Sequence, residues 1–240
     1  MTTFRWRRWL AAAALATVAA MAVATYGDAW RLPDRHNPWA PLAVAEPPGW
    51  LTRHKLRRLD DARGDCLRTL EQTPFRFEPV PDRQTGEACG FTNAVRIRRT
   101  HVAVGPAFVL SCRAAVSLAL WERHVLLPTA ERRLGAPVVR LEHFGSYACR
   151  NVYGRSGGRR SQHATADALD VAGVALADGR RVTVARDWQH DDPDAAPPAR
   201  FLRDVHEGAC GVFDTVLGPA YNAAHADHLH LDRGRFRICR

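Results

Sequence analysis

The segment SQHATADALDV, residues 161–171, contains two possible metal ligands, and their spacing constrains how the chain folds. It places His163 and Asp170 seven residues apart among small side chains. To bind one zinc ion, their donor atoms must lie within about 4 Å of each other, because zinc–ligand bonds are about 2 Å long. A continuous helix would separate the two residues by roughly 10 Å along its axis, and a strand by roughly 23 Å. The segment therefore predicts a reversal of the chain in the small residues ATADA between them.

A second polar segment, HADHLHLD at residues 225–232, offers further imidazoles. It alternates as a strand does, so His228 and His230 share one face and either can reach the same ion. Asp170 begins a run that predicts two strands around Asp178-Gly179, a strong hairpin signal. Two imidazoles and one carboxylate, with a fourth position left for water, are typical of a catalytic zinc site.

Hydrophobic periodicity predicts the remaining elements of the fold. Apolar residues at helical spacing predict helices at 55–72, at about 106–127 and at 197–217. Alternation predicts a further strand at 138–144. Helices come first along the chain, and short strands with one late helix follow. This order predicts an α+β fold with a small antiparallel sheet and helices packed on one side of it.

Charge and composition limit the partners that the protein can have. The chain has 240 residues and a net charge of +9, which is carried almost wholly by arginine because Lys55 is the only lysine. The arginines are dispersed among acidic residues and form no basic stripe with aromatic residues, so we expect no nucleic-acid partner. An anionic wall polymer is compatible with this charge.

The N-terminal segment, residues 1–30, predicts export. Arginines precede an apolar run at 9–26, in which half of the residues are alanine. About eighteen helical residues just span a membrane, so we expect an inner-membrane anchor with the remaining chain in the periplasm. A cleaved signal peptide is the alternative, because Ala22-Val23-Ala24 is a plausible cleavage site. Five prolines then predict an extended spacer at 31–50, followed by a globular domain at 51–240.

The six cysteines form no C-x-x-C pair, so a zinc ribbon or a thioredoxin-like redox site is not expected. An even number of cysteines in an exported chain predicts three disulfides. Many connectivities are possible, and we predict that cysteines pair with their neighbours in sequence, within one or two elements. The predicted pairs are Cys66 with Cys89, Cys112 with Cys149, and Cys210 with Cys239.

Four segments carry a resemblance to a known family. LSCRAAVSLALWE, GSYACR, SQHATADALDVAG and HADHLHLD resemble the bacterial extensin-like C-terminal domain family over roughly residues 50–240. The pattern S-x-H-x-x-G-x-A-x-D followed later by H-x-H is also similar to the zinc D-Ala-D-Ala peptidases and murein endopeptidases. Those enzymes share a fold with the hedgehog signalling domain, so the resemblance implies that fold here.

The resemblance implies a role for each matching residue. His228 would be a catalytic or transition-state-stabilising histidine, and Asp227 is placed similarly to the general-base glutamate of the dipeptidase branch. Arg150 would hold a substrate carboxylate or carbonyl group. The ligands that the resemblance implies for Zn²⁺ are His163, Asp170 and His230. His225 and Asp232 are candidates for orienting these ligands through their outer nitrogen atoms.

The activity implied is hydrolysis of a peptide or amide bond in the wall peptides of peptidoglycan. One position departs from the pattern, because Ala166 stands where the motif has glycine. If the backbone needs a positive φ there, alanine costs about 1 kcal/mol. The alternative is therefore a non-catalytic envelope domain that binds wall polymer and whose metal is structural or absent.

Overall fold

The structure is a computed structural model that describes residues 3–26, 32–60, 62–188 and 196–240. It divides into two compact units, Met1–Ala40 and Pro41–Arg240. The helices are α1 (Thr3–Tyr26), α2 (Thr52–Arg58), α3 (Arg63–Glu71), α4 (Cys112–Trp121), α5 (Leu127–Leu134), α6 (Val184–Asp187) and α7 (Pro197–Ala209). The strands are β1 (Arg76–Val80), β2 (Arg83–Gly86), β3 (Cys89–Phe91), β4 (Ala94–Arg99), β5 (Ala103–Ser111), β6 (Val138–Gly145), β7 (Ala168–Leu176), β8 (Arg181–Thr183), β9 (Thr215–Leu217), β10 (Leu229–Asp232) and β11 (Ile238–Cys239).

The first unit contains helix α1, which includes the apolar run at 9–26. Among the helices of the described residues, none is long and apolar enough to cross a membrane. The predicted inner-membrane anchor is therefore wrong, while the periplasmic location stays a prediction. Half of the run is alanine, and a single methyl group per residue contributes little apolar surface.

A nine-stranded sheet organises the second unit. Its strand order is β1-β4-β5-β6-β7-β10-β9-β11, and β8 pairs with β7 outside this order. The pairs β5–β6 and β9–β11 are parallel, and the other pairs of this sheet are antiparallel. Strands β2 and β3 form a separate hairpin. The α+β class is confirmed, with a larger sheet than we expected, while the likeness to hedgehog and peptidase domains stays a prediction.

Helix α4 lies at the centre of the hydrophobic core, because nearly all of its side chains are buried. The indole N–H of Trp121 donates to the carbonyl oxygen of Val205 in α7 at 2.9 Å, which joins the two helices without leaving a buried donor unpaired. Leu42 and Val44 also belong to this core. The compact unit therefore includes residues from the Pro-rich segment that precedes position 51.

Sequence periodicity misjudged several elements of the fold. The segment predicted as a helix at 106–127 is strand β5 followed by α4, and the helix predicted at 55–72 is divided into α2 and α3. A buried apolar run does not by itself distinguish a strand from a helix. Pro106 is accommodated in β5 because the pairing with β4 shifts between Ile97 and Arg99, which leaves Pro106 outside the ladder.

Three disulfides link the second unit, and two of the three predicted pairs are wrong. The observed pairs are Cys66–Cys112, Cys89–Cys149 and Cys210–Cys239, of which only the last was predicted. Helix α3 packs against α4, which brings Cys66 to the first residue of α4. The two unexpected pairs span 46 and 60 residues, so they depend on tertiary contacts and not on proximity in sequence.

The strands that carry the polar segments were predicted correctly. The strand expected at 138–144 is β6, the hairpin around Asp178-Gly179 is β7 with β8, and the HLHLD strand is β10. Strand β7 pairs with both β6 and β10. This arrangement brings the two polar segments, 161–171 and 225–232, to the same part of the sheet.

Candidate metal centre

The pairing of β7 with β10 positions two of the predicted ligands of the candidate metal centre. In this antiparallel pair His230 lies directly opposite Asp170. Side chains of directly opposed residues lie on the same face of a sheet, about 5 Å apart at their Cβ atoms. His230 Nδ1 is 2.9 Å from Asp170 Oδ1. The register of one strand pair therefore fixes two of the three predicted ligands.

The third predicted ligand, His163, reaches the pair through the expected chain reversal. Residues Gln162–Thr165 form a short 3-10 helix, and Ala166 follows it in the left-handed conformation, with φ 55° and ψ 28°. This turn directs His163 Nε2 to within 3.1 Å of Asp170 Oδ1 and 3.2 Å of His230 Nδ1. The predicted reversal in ATADA is confirmed, and Ala166 adopts the positive φ for which the motif has glycine.

The outer contacts of the two histidines determine which nitrogen atoms face inward with a lone pair. His163 Nδ1–H donates to the carbonyl oxygen of Ser146 at 3.0 Å. His230 Nε2–H donates to Asp232 Oδ2 at 2.9 Å. When both imidazoles are neutral, each carries one N–H, so His163 Nε2 and His230 Nδ1 then present lone pairs. Two nitrogen lone pairs and a carboxylate oxygen thus converge, and this arrangement requires a cation between them.

The donor set and its spacing fit a zinc ion. Tetrahedral ligands at zinc bond lengths of about 2.0–2.2 Å lie about 3.3 Å from one another, and the three separations here are 2.9, 3.1 and 3.2 Å. His163, Asp170 and His230 are 3%, 7% and 8% exposed, so bulk water does not compete strongly for the ion. Asp232 and the Ser146 carbonyl hold the outer nitrogen atoms, as partners of metal-bound histidines usually do.

In the absence of a metal ion, a proton is the cation that the cluster favours. Burial lowers the pKa of His230, but its hydrogen bonds with Asp170 and Asp232 outweigh burial and raise that pKa to about 9. Burial likewise raises the pKa of Asp170, but its hydrogen bonds with His163 and His230 hold it far below the usual range. Because a histidine must lose its proton to bind a metal, zinc competes here with a tightly held proton.

The three residues with predicted catalytic roles lie in the same cleft or at its rim. His228 Nδ1–H donates to Asp227 Oδ1 at 2.8 Å, and His228 Nε2 lies 3.5 Å from Asp170 Oδ1. Asp227 is exposed, while His228 and Arg150 line a cleft of about 330 Å³ that opens onto the cluster. The structure thus brings the predicted site residues together, and their catalytic roles stay predictions.

The two residues expected to orient the ligands differ in what they contact. Asp232 contacts His230 directly, at 2.9 Å from its Nε2. His225 Nδ1–H instead donates to Asn222 Oδ1 at 2.8 Å, and its ring packs against His228. Burial, followed by repulsion from His230 and His228, lowers the pKa of His225 to about 4, so His225 is neutral at neutral pH.

An ion pair beneath the chain reversal was missed by the sequence analysis. Arg113 Nε and Nη2 donate to the two carboxylate oxygens of Asp167 at 2.9 Å each, and Arg113 Nη1 lies 3.0 Å from Asp60 Oδ2. Burial opposes the charge on Arg113, but these hydrogen bonds outweigh it and raise the pKa of Arg113. Arg113 was visible in LSCRAAV, but nothing in the local sequence indicates a partner 54 residues away.

A second group of possible ligand atoms lies in the described residues, at the end of α7. His206, Cys210 and Cys239 have ligand atoms within 4.8 Å of one another, as the three residues of the first group do. However, Cys210 and Cys239 form a disulfide, so neither sulfur is available as a thiolate. We therefore assign the candidate metal centre to the first group.

The described domain is thus an α+β domain with a buried cluster of two histidines and one aspartate. The family described as "Extensin-like protein C-terminus" matches residues 64–240, and the chain belongs to this family. The resemblance read from the four sequence segments is confirmed at that level, while the relation to peptidases stays a prediction. Searches of curated proteins and of solved structures give no match.

Proposed function

We propose that the protein is a zinc-dependent hydrolase that cleaves a peptide or amide bond in the wall peptides of peptidoglycan. The observation that carries this proposal is the convergence of His163 Nε2, Asp170 Oδ1 and His230 Nδ1, within 2.9–3.2 Å of one another, at the base of a cleft. Three protein ligands with an open fourth position are typical of catalytic zinc. A bound zinc ion would supply a water molecule of lowered pKa and would polarise the carbonyl group of the substrate.

The residues of the chain itself would handle the proton and the substrate. His228 Nδ1–H is held by Asp227, so the lone pair of Nε2 points toward the cluster and can accept a proton there. The same imidazole can then donate this proton to the leaving amine. Arg150 lines the cleft and would hold an anionic part of the substrate through its guanidinium group.

A second candidate function is supported by the same distances. Ligand atoms that contact one another at 2.9–3.2 Å can also share a proton on His230, in a hydrogen-bonded network without metal. In that state the domain would bind wall polymer without hydrolysing it. The alanine at position 166 also favours this candidate, since it departs from the peptidase pattern.

One experiment separates the two candidates. Purified protein would be incubated with peptidoglycan fragments in three conditions: as isolated, after removal of metal with a chelator, and after zinc is restored. The hydrolase proposal predicts peptide products that appear with zinc, disappear with the chelator and return with zinc. Binding of the fragments without products in any condition would contradict hydrolysis and favour the non-catalytic domain.

A further inference from the structure

The cleft over the candidate metal centre is rich in arginine. Its lining includes Arg150, Arg159 and Arg160, while its acidic residues are Asp170 and Asp232. Both aspartates contact histidines of the cluster. Within the described part of the chain, the three arginines therefore have no carboxylate of the cleft available to them, and the cleft has an excess of positive charge.

The two ends of the arginine-bearing loop are tied together by backbone hydrogen bonds. Val152 N–H donates to the carbonyl oxygen of Arg159 at 3.0 Å, and Ser161 N–H donates to that of Arg150 at 3.1 Å. Arg150 and Arg159 thus stand on the paired base of the loop and not at its glycine-containing tip. A paired backbone restricts where each guanidinium group can go.

Arg159 is held over the cleft by an aromatic ring. Its guanidinium carbon lies 4.7 Å from the centre of the Phe236 ring, and the phenyl group is 54% exposed. A cation–π contact is not a hydrogen bond, so it does not occupy the N–H groups of Arg159 as donors. These N–H groups form a planar fork that matches a carboxylate or phosphate group.

Arg160 differs from Arg159 in this respect. Its Nη1 donates to Asn151 Oδ1 at 3.0 Å, and its Nη2 donates to the carbonyl oxygen of Glu87 at 2.8 Å. The bond to Asn151 lies within the base of the loop, and the bond to Glu87 joins the loop to the β2–β3 hairpin, so Arg160 has a structural role. Among the residues that the structure describes, none accepts a hydrogen bond from the guanidinium group of Arg159, so its donors are available.

We propose that Arg159, seated on Phe236, forms an anion-binding subsite at the mouth of the cleft, separate from the position of Arg150. The substrate would then be an acidic peptide that carries a carboxylate at some distance from the bond that is cleaved. This inference rests on the proposed function, because it names the substrate class of the same cleft. Binding of the anion to Arg159 does not require the metal ion.

The test measures binding of two probes by calorimetry, an acetylated triglutamate peptide and the matching triglutamine peptide. Zinc-free protein is used first, because glutamate side chains can themselves bind zinc, and zinc-loaded protein is used second. Salt at about 0.1 M screens charges that lie more than about 10 Å apart. We expect triglutamate to bind about tenfold more tightly than triglutamine, which corresponds to one charge-assisted hydrogen-bonded contact.

Matched variants test whether the preference for triglutamate depends on Arg159 and Phe236. Arg159→Gln should abolish the preference for triglutamate, and Phe236→Leu should reduce it while the charge is kept. Arg155→Gln is the control, because it removes the same charge from the same loop. Arg155 itself does not line the cleft, and its guanidinium carbon lies 5.5 Å from the ring centre of the lining residue Tyr153. The control variant should keep the preference within about twofold of the wild type.

The outcomes separate this subsite from the proposed hydrolysis. A preference for triglutamate that depends on Arg159 supports the subsite even if zinc produces no hydrolysis of peptidoglycan fragments. Equal binding of the two probes, or an equal loss in Arg159→Gln and Arg155→Gln, would overturn the subsite even if hydrolysis is observed.

Discussion

Among the residues that the structure describes, two clusters bring a histidine and two other possible ligands within 4.8 Å of one another, and one of the two can accept an ion. In the first cluster the outer nitrogen atoms of His163 and His230 donate to oxygen atoms, which leaves the inner nitrogen atoms as acceptors. In the second cluster Cys210 and Cys239 are joined by a disulfide. Proximity of ligand residues is therefore not sufficient evidence for a metal site.

The two clusters differ in the hydrogen bonds and covalent bonds that their possible ligand atoms already form. His206 Nε2–H donates to the carbonyl oxygen of Arg240 at 3.0 Å, so this ring is already held by the C-terminal strand region. The disulfide beside it links α7 to β11. The second cluster thus has a structural role, whereas the first is held in place by partners that keep its donor atoms free. Each prediction below tests one side of this contrast.

The largest effect is expected from removal of a ligand. His163→Ala and His230→Ala should each weaken zinc binding by more than about 100-fold, because each removes one of three protein ligands from a buried site. His228→Ala should keep nearly stoichiometric zinc and lose any hydrolysis. Zinc content after dialysis, measured by elemental analysis, checks these expectations.

The comparison between His228 and His230 includes its own control. If His228→Ala loses zinc as readily as His230→Ala, then the division of roles between ligand and proton carrier is wrong. Circular dichroism of each variant establishes whether the fold is kept, so that a loss of zinc can be attributed to the ligand.

The second cluster should behave in the opposite way. The double variant Cys210→Ser/Cys239→Ser should lower the free energy of unfolding by about 2 to 4 kcal/mol, because the disulfide closes a loop of 29 residues in the unfolded chain. Its zinc stoichiometry should equal that of the wild type. Urea unfolding and elemental analysis of the same preparation give both numbers, and a loss of zinc at normal stability would contradict our assignment.

A smaller effect is expected at the carboxylate that holds His230. Asp232→Asn should weaken zinc binding by about 10- to 100-fold, because a neutral partner makes the ligating nitrogen of His230 less basic. Asp227→Asn is the matched control, since the side chain of Asp227 contacts His228 and not a predicted ligand. Competition with a coloured chelator measures both affinities, and equal affinities for the two variants would refute the role of Asp232.

The smallest effect is expected at Ala166, where two terms nearly cancel. Glycine would relieve roughly 1 kcal/mol of left-handed strain, while loss of the buried methyl group costs about 0.8 kcal/mol. Ala166→Gly should therefore change the free energy of unfolding by less than about 0.5 kcal/mol. Denaturant unfolding checks this value. A clear loss of stability would mean that the methyl group packs more tightly than its burial suggests.

The sequence predicted the part of the site that depends on local pattern. Alternation in HLHLD and the hairpin signal at Asp178-Gly179 located β7, β8 and β10, and small residues indicated the turn that returns His163 to Asp170. These features follow from strand geometry and turn chemistry within about ten residues of sequence. They were sufficient to bring His163, Asp170 and one of the two histidines at 228 and 230 together, while the choice of His230 came from the family resemblance.

The sequence did not predict what depends on distant contacts. The pairing of Cys66 with Cys112, the ion pair of Arg113 with Asp167 and the seat of Arg159 on Phe236 each join residues more than 40 positions apart. The strand at Pro106 was missed because the pairing of β5 with β4 shifts beside this residue, which the sequence does not indicate. The shift leaves Pro106 outside the ladder, so its missing backbone N–H costs no hydrogen bond.

The central claim is that three named atoms bind one zinc ion, and crystals of the zinc-loaded protein test it most directly. Anomalous diffraction at the zinc edge should show one ion about 2.0–2.2 Å from His163 Nε2, Asp170 Oδ1 and His230 Nδ1. The use of Nδ1 by His230 follows from the hydrogen bond of its Nε2–H to Asp232. An ion bound beside His206, an ion bound through Nε2 of His230, or no ion at the cluster would contradict the account.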